Sequence, residues 1–131
     1  MRILVTGVTG YVGRLMAARL ARDGHQLVGF ARRADSAPPG LSVVTGDAFT
    51  GAGLERALHG VDVAYFLIHS MEPVTDPAGE GIGFSARERV AAQRFADAAA
   101  VAGVRRIVYL GGMLPAGSQL SPHLASRLAV E

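Results

Sequence analysis

The sequence predicts an α/β domain built on a doubly wound parallel sheet of about five strands in the order 3-2-1-4-5. Three observations lead there. Short apolar stretches alternate with longer, helix-patterned ones, which is the mark of repeated βαβ units. The stretch "VDVAYFLI" is almost unbroken in its apolar character, as in a strand covered on both faces. At the start, "RILVT" runs straight into glycines at positions 7, 10 and 13. Right-handed crossovers turn such units into a sheet whose strand order reverses between strands 1 and 4, and the crevice lies beyond the strand C-termini at that reversal.

The elements follow in order. Arg2 to Thr6 is a short buried strand ended by glycine. Tyr11 to Asp23 reads as a helix with Val12, Leu15, Met16 and Leu20 on one face and Gly24 as its stop. "HQLVGFA" is a second strand, "ADSAPPG" a polar turn and "LSVVTGD" a third strand. "GAGLERALHG" reads as a short helix closed by Gly60, and "VDVAYFLI" is strand 4. "HSMEPVTDPAGEGIG" is a long loop. Phe84 to Ala102 is an Ala-rich helix with Val90, Ala91, Phe95, Ala98 and Ala102 inward, stopped by Gly103. "RRIVYLGG" is strand 5, "MLPAGSQLSP" a loop, and "HLASRLAVE" opens a further helix. The architecture is Rossmann-like, and residues 1–131 form one domain.

Composition narrows the function classes. The chain has no Cys, so it has no disulfide framework and no Cys-built metal or redox site. No set of His, Asp and Glu has metal-ligand spacing. The formal net charge is +2; all thirteen basic residues are Arg and they are scattered, so no nucleic-acid-binding stripe stands out. The start lacks a signal-peptide pattern, and no apolar run approaches the roughly 20 residues of a membrane span. The expectation is a cytoplasmic protein that binds neither nucleic acid nor membrane.

A strand, a glycine-punctuated turn and a helix in immediate succession suit a phosphate. Gly7 permits the tight turn, Gly10 lets backbone approach a pyrophosphate, and Gly13 lets the helix sit close to the sheet. Amides at the helix N-terminus, aided by the helix dipole, then face the anion. The alternative is a structural turn that binds nothing.

"VTGVTGYVG" resembles the TGxxGxxG motif of extended and atypical short-chain dehydrogenase/reductases. The resemblance runs the length of the chain. "GD" after strand 3, "AYFLIHSM" at strand 4 and "RIVYLGG" at strand 5 fall where that family has its counterparts, and "YFLIHSM", "YLGG" and "LSPHLASRLAVE" together resemble an atypical branch of NAD(P)H-binding proteins related to the NmrA-like redox sensors. It implies a cofactor set of Gly7, Thr9, Gly10, Tyr11, Val12, Gly13, Arg32, Arg33, Asp47, Ala48, Leu67 and His69. Asp47 would accept from the adenine amino group, or serve only as a turn residue. Leu67 and Ile68 fit the core as well as the nicotinamide-ribose side, and His69 fits either role.

Strand 2 ends "GFARRADS". A free ribose 2′-hydroxyl wants an acid there, whereas a 2′-phosphate wants Arg. Arg32 and Arg33 stand at that place and no acid precedes Asp35, so NADP(H) is favoured over NAD(H). The other reading of the pair is two solvated surface charges.

The resemblance also implies a proton relay: a Tyr acid with a Lys four residues on, assisted by a Ser after strand 5. The chain contains no Lys; Tyr11, Tyr65 and Tyr109 are followed four residues later by Leu15, His69 and Met113, and the serine position reads Gly111-Gly112. His123 and Arg127, one turn apart, are either an acid beside a cation or the start of a helix. No catalytic residue is assigned. Two functions remain: an NADP(H)-dependent reductase acting on a small molecule, or a non-catalytic module that reads the cofactor's redox state. The loop from Ser70 to Gly83 is a lid or a mobile surface. Family members of this type continue past strand 5. A chain ending at Glu131 is therefore expected to be the N-terminal portion of a longer architecture, or a homo-oligomer that covers the strand 5 edge.

Overall fold

The computed structural model describes residues 1–68, 84–111, 128 and 130. The described residues form β1 (Arg2–Thr6), α1 (Tyr11–Arg22), β2 (Gln26–Ala31), β3 (Ser42–Thr45), α2 (Leu54–Leu58), β4 (Val63–Phe66), α3 (Phe84–Val101) and β5 (Arg106–Tyr109). The five strands make one sheet in the order β3-β2-β1-β4-β5, the predicted Rossmann-like order, with every neighbouring pair parallel. β1 is central: Val5 lies opposite Gly29 of β2 and Tyr65 of β4.

Side chains alternate across a strand, so the central apolar runs feed two cores. Ile3 and Val5 join Val8, Leu20, Ala31 and Leu67 on the α1 face. Leu4, Val28, Phe30, Ala64 and Phe66 pack on the opposite face against Leu54, Ala57 and Leu58 of α2 and Ala91, Phe95 and Ala99 of α3. Phe66 and Phe95 meet with ring centroids 4.9 Å apart.

The helix faces differ from expectation in three places. α1 buries Gly13, Ala17 and Leu20, while Val12 and Leu15 are exposed. Small residues let the helix approach the sheet closely, and that approach turns the larger side chains outward. α3 buries Ala91, Phe95 and Ala99, and Val90 is 36% exposed. With alanine on every side of this helix, the bulk of Phe95 sets the phase. The "GAG" before α2 is not helical: Gly51 and Gly53 have φ of 84° and 83°, a left-handed turn from which the helix starts only at Leu54.

The expected loop from Ser70 to Gly83, together with His69, Gly112 and the helix holding His123 and Arg127, lies outside the described residues. No helix among the described residues is long and apolar enough to cross a membrane.

At the sheet end where the strands begin, Asp62 joins three of them. Its carboxylate accepts from the Arg2 backbone N–H at 2.8 Å and from the Arg105 guanidinium at 2.9 Å. Its own N–H donates to the Arg2 carbonyl at 2.8 Å, and its carbonyl accepts from the Arg105 N–H at 3.0 Å. The Arg2 N–H, and after it the Arg105 charge, hold the Asp62 carboxyl below its ordinary value, against the opposing effect of desolvation. A depressed folded-state pKa gives stability that is present above the unfolded value and lost as pH falls through the folded one. Acid unfolding of the wild type should therefore include a component below the ordinary carboxylate value of 3.8. Asp62→Asn should lose stability at neutral pH and flatten that part of the profile, as read by circular dichroism melts across pH.

Candidate functional site

The loop after β1 is built by glycines with different tasks. Gly7 has φ 65°, where a side chain is strained, and its N–H donates to the Phe30 carbonyl of β2 at 3.0 Å. Gly10 closes the turn by donating to the Gly7 carbonyl at 2.9 Å and is the N-cap of α1. A Cβ on Gly10 would find only the Gly7 oxygen nearby, at 3.3 Å, with open space beyond. A Cβ on Gly13 would stand 2.2 Å from that same oxygen and 3.0 Å from the Val8 Cα. Gly13 is thus a packing glycine and Gly10 borders an opening.

That opening suits an anion. The first N–H groups of a helix have no intrahelical carbonyl. The Gly10 cap supplies no side-chain acceptor, and α1 has no acid in its first turn. The amides of Tyr11, Val12 and Gly13 sit at the positive end of the helix dipole and are free for an external acceptor. Thr9 contributes its carbonyl elsewhere, to Arg14. The Tyr11 side chain is 80% exposed, so the backbone at this position is its structural contribution.

The crevice wall on the β4 side is tied by a residue that sequence reasoning missed. Thr6 is fully buried, and its Oγ1 accepts from the Leu67 N–H at 2.8 Å. The bond carries the β1–β4 pairing past the end of β4 and holds the Leu67 backbone against Gly7. A hydroxyl residue ending an otherwise apolar strand was the available signal. The Leu67 side chain belongs to the α1-side core, and Ile68 packs on the other.

On the β2 side, Arg32 lines a shallow depression of about 400 Å³ with Thr45, Gly46, Asp47 and Ala52. Arg33 is exposed and does not line it. Asp47 organises its own turn: Oδ1 accepts from the Phe49 N–H at 2.8 Å, its N–H donates to the Ala52 carbonyl at 2.9 Å, and its carbonyl accepts from the Gly51 N–H at 2.8 Å. Its Oδ2 has no partner among the described residues. Ala48, next to it in the chain, is buried. Arg14 links the two halves of the crevice, with Nε donating to the Thr9 carbonyl at 3.1 Å and Nη2 to the Ser36 carbonyl at 2.6 Å. Nothing in the local sequence announced this bridge.

No group of three or more His, Cys, Asp and Glu that could hold a metal occurs among the described residues. Tyr65 is half-buried in β4, and Tyr109 packs its ring 6.3 Å from that of Phe66. The chain contains no Lys, so no tyrosine is followed four residues on by the Lys of the usual proton relay.

Known proteins resemble the chain in sequence and in fold. The sequence profile of a family described as NAD(P)H-binding matches residues 7–126. A (4-alkanoyl-5-oxo-2,5-dihydrofuran-3-yl)methyl phosphate reductase of Streptomyces griseus is 43% identical over 114 residues, covering 85% of this chain and 34% of that protein. A 3-diazoavenalumate denitrifying reductase of a Streptomyces species is 30% identical over 111 residues, covering 82% and 36%. A short-chain dehydrogenase/reductase superfamily protein from Agrobacterium tumefaciens, solved with bound NAD, superimposes with a TM-score of 0.78 at 30% identity, over 99% of this chain and 43% of that one. The chain therefore spans about a third of the two reductases and under half of the solved structure.

The glycine roles predict separable outcomes. Gly13→Ala forces α1 away from the loop and should cost roughly 3 kcal/mol, as overpacking does. Gly10→Ala meets one contact and should cost under about 1 kcal/mol. Denaturant melts of the two variants check this, and equal losses would contradict the division of roles.

Proposed function

The chain belongs to the NAD(P)H-binding family, and from that premise we propose that it is an NADP(H)-binding Rossmann domain of a reductase of the short-chain dehydrogenase/reductase type. The observation that carries the reading is the uncapped, acid-free N-terminus of α1, where Gly10 borders open space, at the same end of the parallel sheet as Arg32 after β2. In this reading the amides of Tyr11, Val12 and Gly13 hold the pyrophosphate, with Gly7, Thr9 and Gly10 shaping its approach. Arg32, assisted by Arg33, grips the 2′-phosphate; a guanidinium matches phosphate in two parallel hydrogen bonds, and no acid stands before Asp35 to repel it. The free Oδ2 of Asp47 accepts from the adenine amino group, with the Ala48 backbone beside it. Leu67 and His69 border the nicotinamide ribose.

A bound nicotinamide supplies hydride transfer. The protein's part is to place it and to keep water from its face. The two Streptomyces relatives are named reductases, which supports the same reaction class here. A second reading has its own support: without Lys, no tyrosine of this chain forms the usual proton relay, which favours a module that reads NADP(H) redox state without turning over substrate. Steady-state NADPH oxidation with quinones and enones separates the two.

NADPH should bind about ten- to a hundredfold more tightly than NADH, the worth of a charge-assisted bidentate contact. Arg32→Ala should remove most of that gap, and Gly10→Val should abolish binding of both nucleotides with the circular dichroism spectrum retained. Calorimetric titration reads each result. Equal wild-type affinities would sink the NADP(H) assignment, and binding retained by Gly10→Val would make the loop a structural turn.

A further inference from the structure

Arg14 opens the second turn of α1, where its backbone N–H donates to the Gly10 carbonyl at 3.0 Å. Its exposed side chain then reaches two loops that come from different strands. Nε donates to Thr9 in the loop after β1, at 3.1 Å, and Nη2 donates to Ser36 after β2, at 2.6 Å. The Ser36 turn is itself closed by the Ala37 N–H on the Ala34 carbonyl, at 2.9 Å. The segment that carries Arg32 and Arg33 is thus anchored at both ends, by β2 before it and by Arg14 after it.

Both partners of Arg14 are neutral carbonyls, and among the described residues no carboxylate pairs with it. Its charge is therefore not neutralised. Of the five N–H donors of a guanidinium, three remain for another acceptor. A planar fork can bridge two carbonyls in fixed directions, whereas an ammonium on a flexible stem cannot hold both in the same geometry. Ordering a loop in advance also removes an entropic cost that a ligand would otherwise meet.

We propose that Arg14 is a specificity-determining positioning residue: it holds the Arg32–Arg33 segment against the glycine loop and adds its positive charge where that segment meets a 2′-phosphate. The proposal rests on the NADP(H) reading above. Arg14, not only the basic pair after β2, then sets the discrimination between phosphorylated and unphosphorylated nucleotide.

The test is calorimetric titration of NADPH and NADH into the wild type, Arg14→Gln and Arg14→Lys, with thermal melts of each. Arg14→Gln should weaken NADPH roughly tenfold and NADH under about threefold, which narrows the affinity ratio. Arg14→Lys keeps the charge without the bridge and should recover only part of the ratio. An unchanged ratio in Arg14→Gln, or equal weakening of both nucleotides, overturns the proposal. Full recovery in Arg14→Lys overturns the positioning role. A wild type without NADPH preference overturns the NADP(H) reading and this inference with it, whereas wild-type preference that survives in Arg14→Gln overturns this inference alone. Should Arg14→Gln fail to fold, the ratio in Arg14→Lys decides: a reduced ratio supports the bridge and a wild-type ratio refutes it.

Discussion

Helix α1 lies so close to the turn after β1 that a Cβ on Gly13 would stand 2.2 Å from the Gly7 oxygen and 2.7 Å from the Gly7 carbonyl carbon. Much of the site depends on that approach. It aims the helix N-terminus at the end of the sheet rather than at solvent beside it. It keeps the loop short, so that the Gly7 N–H can bond the Phe30 carbonyl and link the loop to β2. It also sets α1 on the sheet through Gly13, Ala17 and Leu20, a row of mostly small side chains. The helix dipole and the unpaired first-turn amides point in the direction that this contact fixes.

The opposite end of the sheet has the complementary task. Asp62 ties the starts of β1, β4 and β5 through backbone and side-chain bonds. At the site end, Thr6 does the corresponding work for β1 and β4 through the Leu67 N–H. The Asp47 turn shows the same economy of parts: one carboxylate oxygen builds the turn and the other is left outward.

The strands and their order were legible because buried parallel strands are written as apolar runs, and five strands with helices in three of their four connections leave few topologies. The glycine loop was legible because its residue types are dictated by space and by φ. The helix faces were harder. Alanine suits a buried or an exposed position equally, so the phase of α3 depended on Phe95 and its neighbours across the sheet, and Val90 proved to face out. α2 begins later than its apolar pattern suggested because Gly51 and Gly53 are left-handed. Arg14 was invisible for a different reason, and Thr6 showed only as a hydroxyl ending an apolar strand. Their bonds join residues 61 and 22 positions apart, and nothing local marks a partner at that distance. Arg32 and Arg33 read alike in sequence, yet only Arg32 lines the depression beside Asp47.

The central claim is that the first-turn amides of α1 hold the phosphate of a dinucleotide. Amide resonances followed during NADPH addition to isotopically labelled protein test it most directly. The account predicts that the largest shifts, and new protection from hydrogen exchange, fall on Gly10, Tyr11, Val12 and Gly13, with smaller ones at Arg32 and Asp47. Shifts that leave those four amides unmoved while others respond would contradict it.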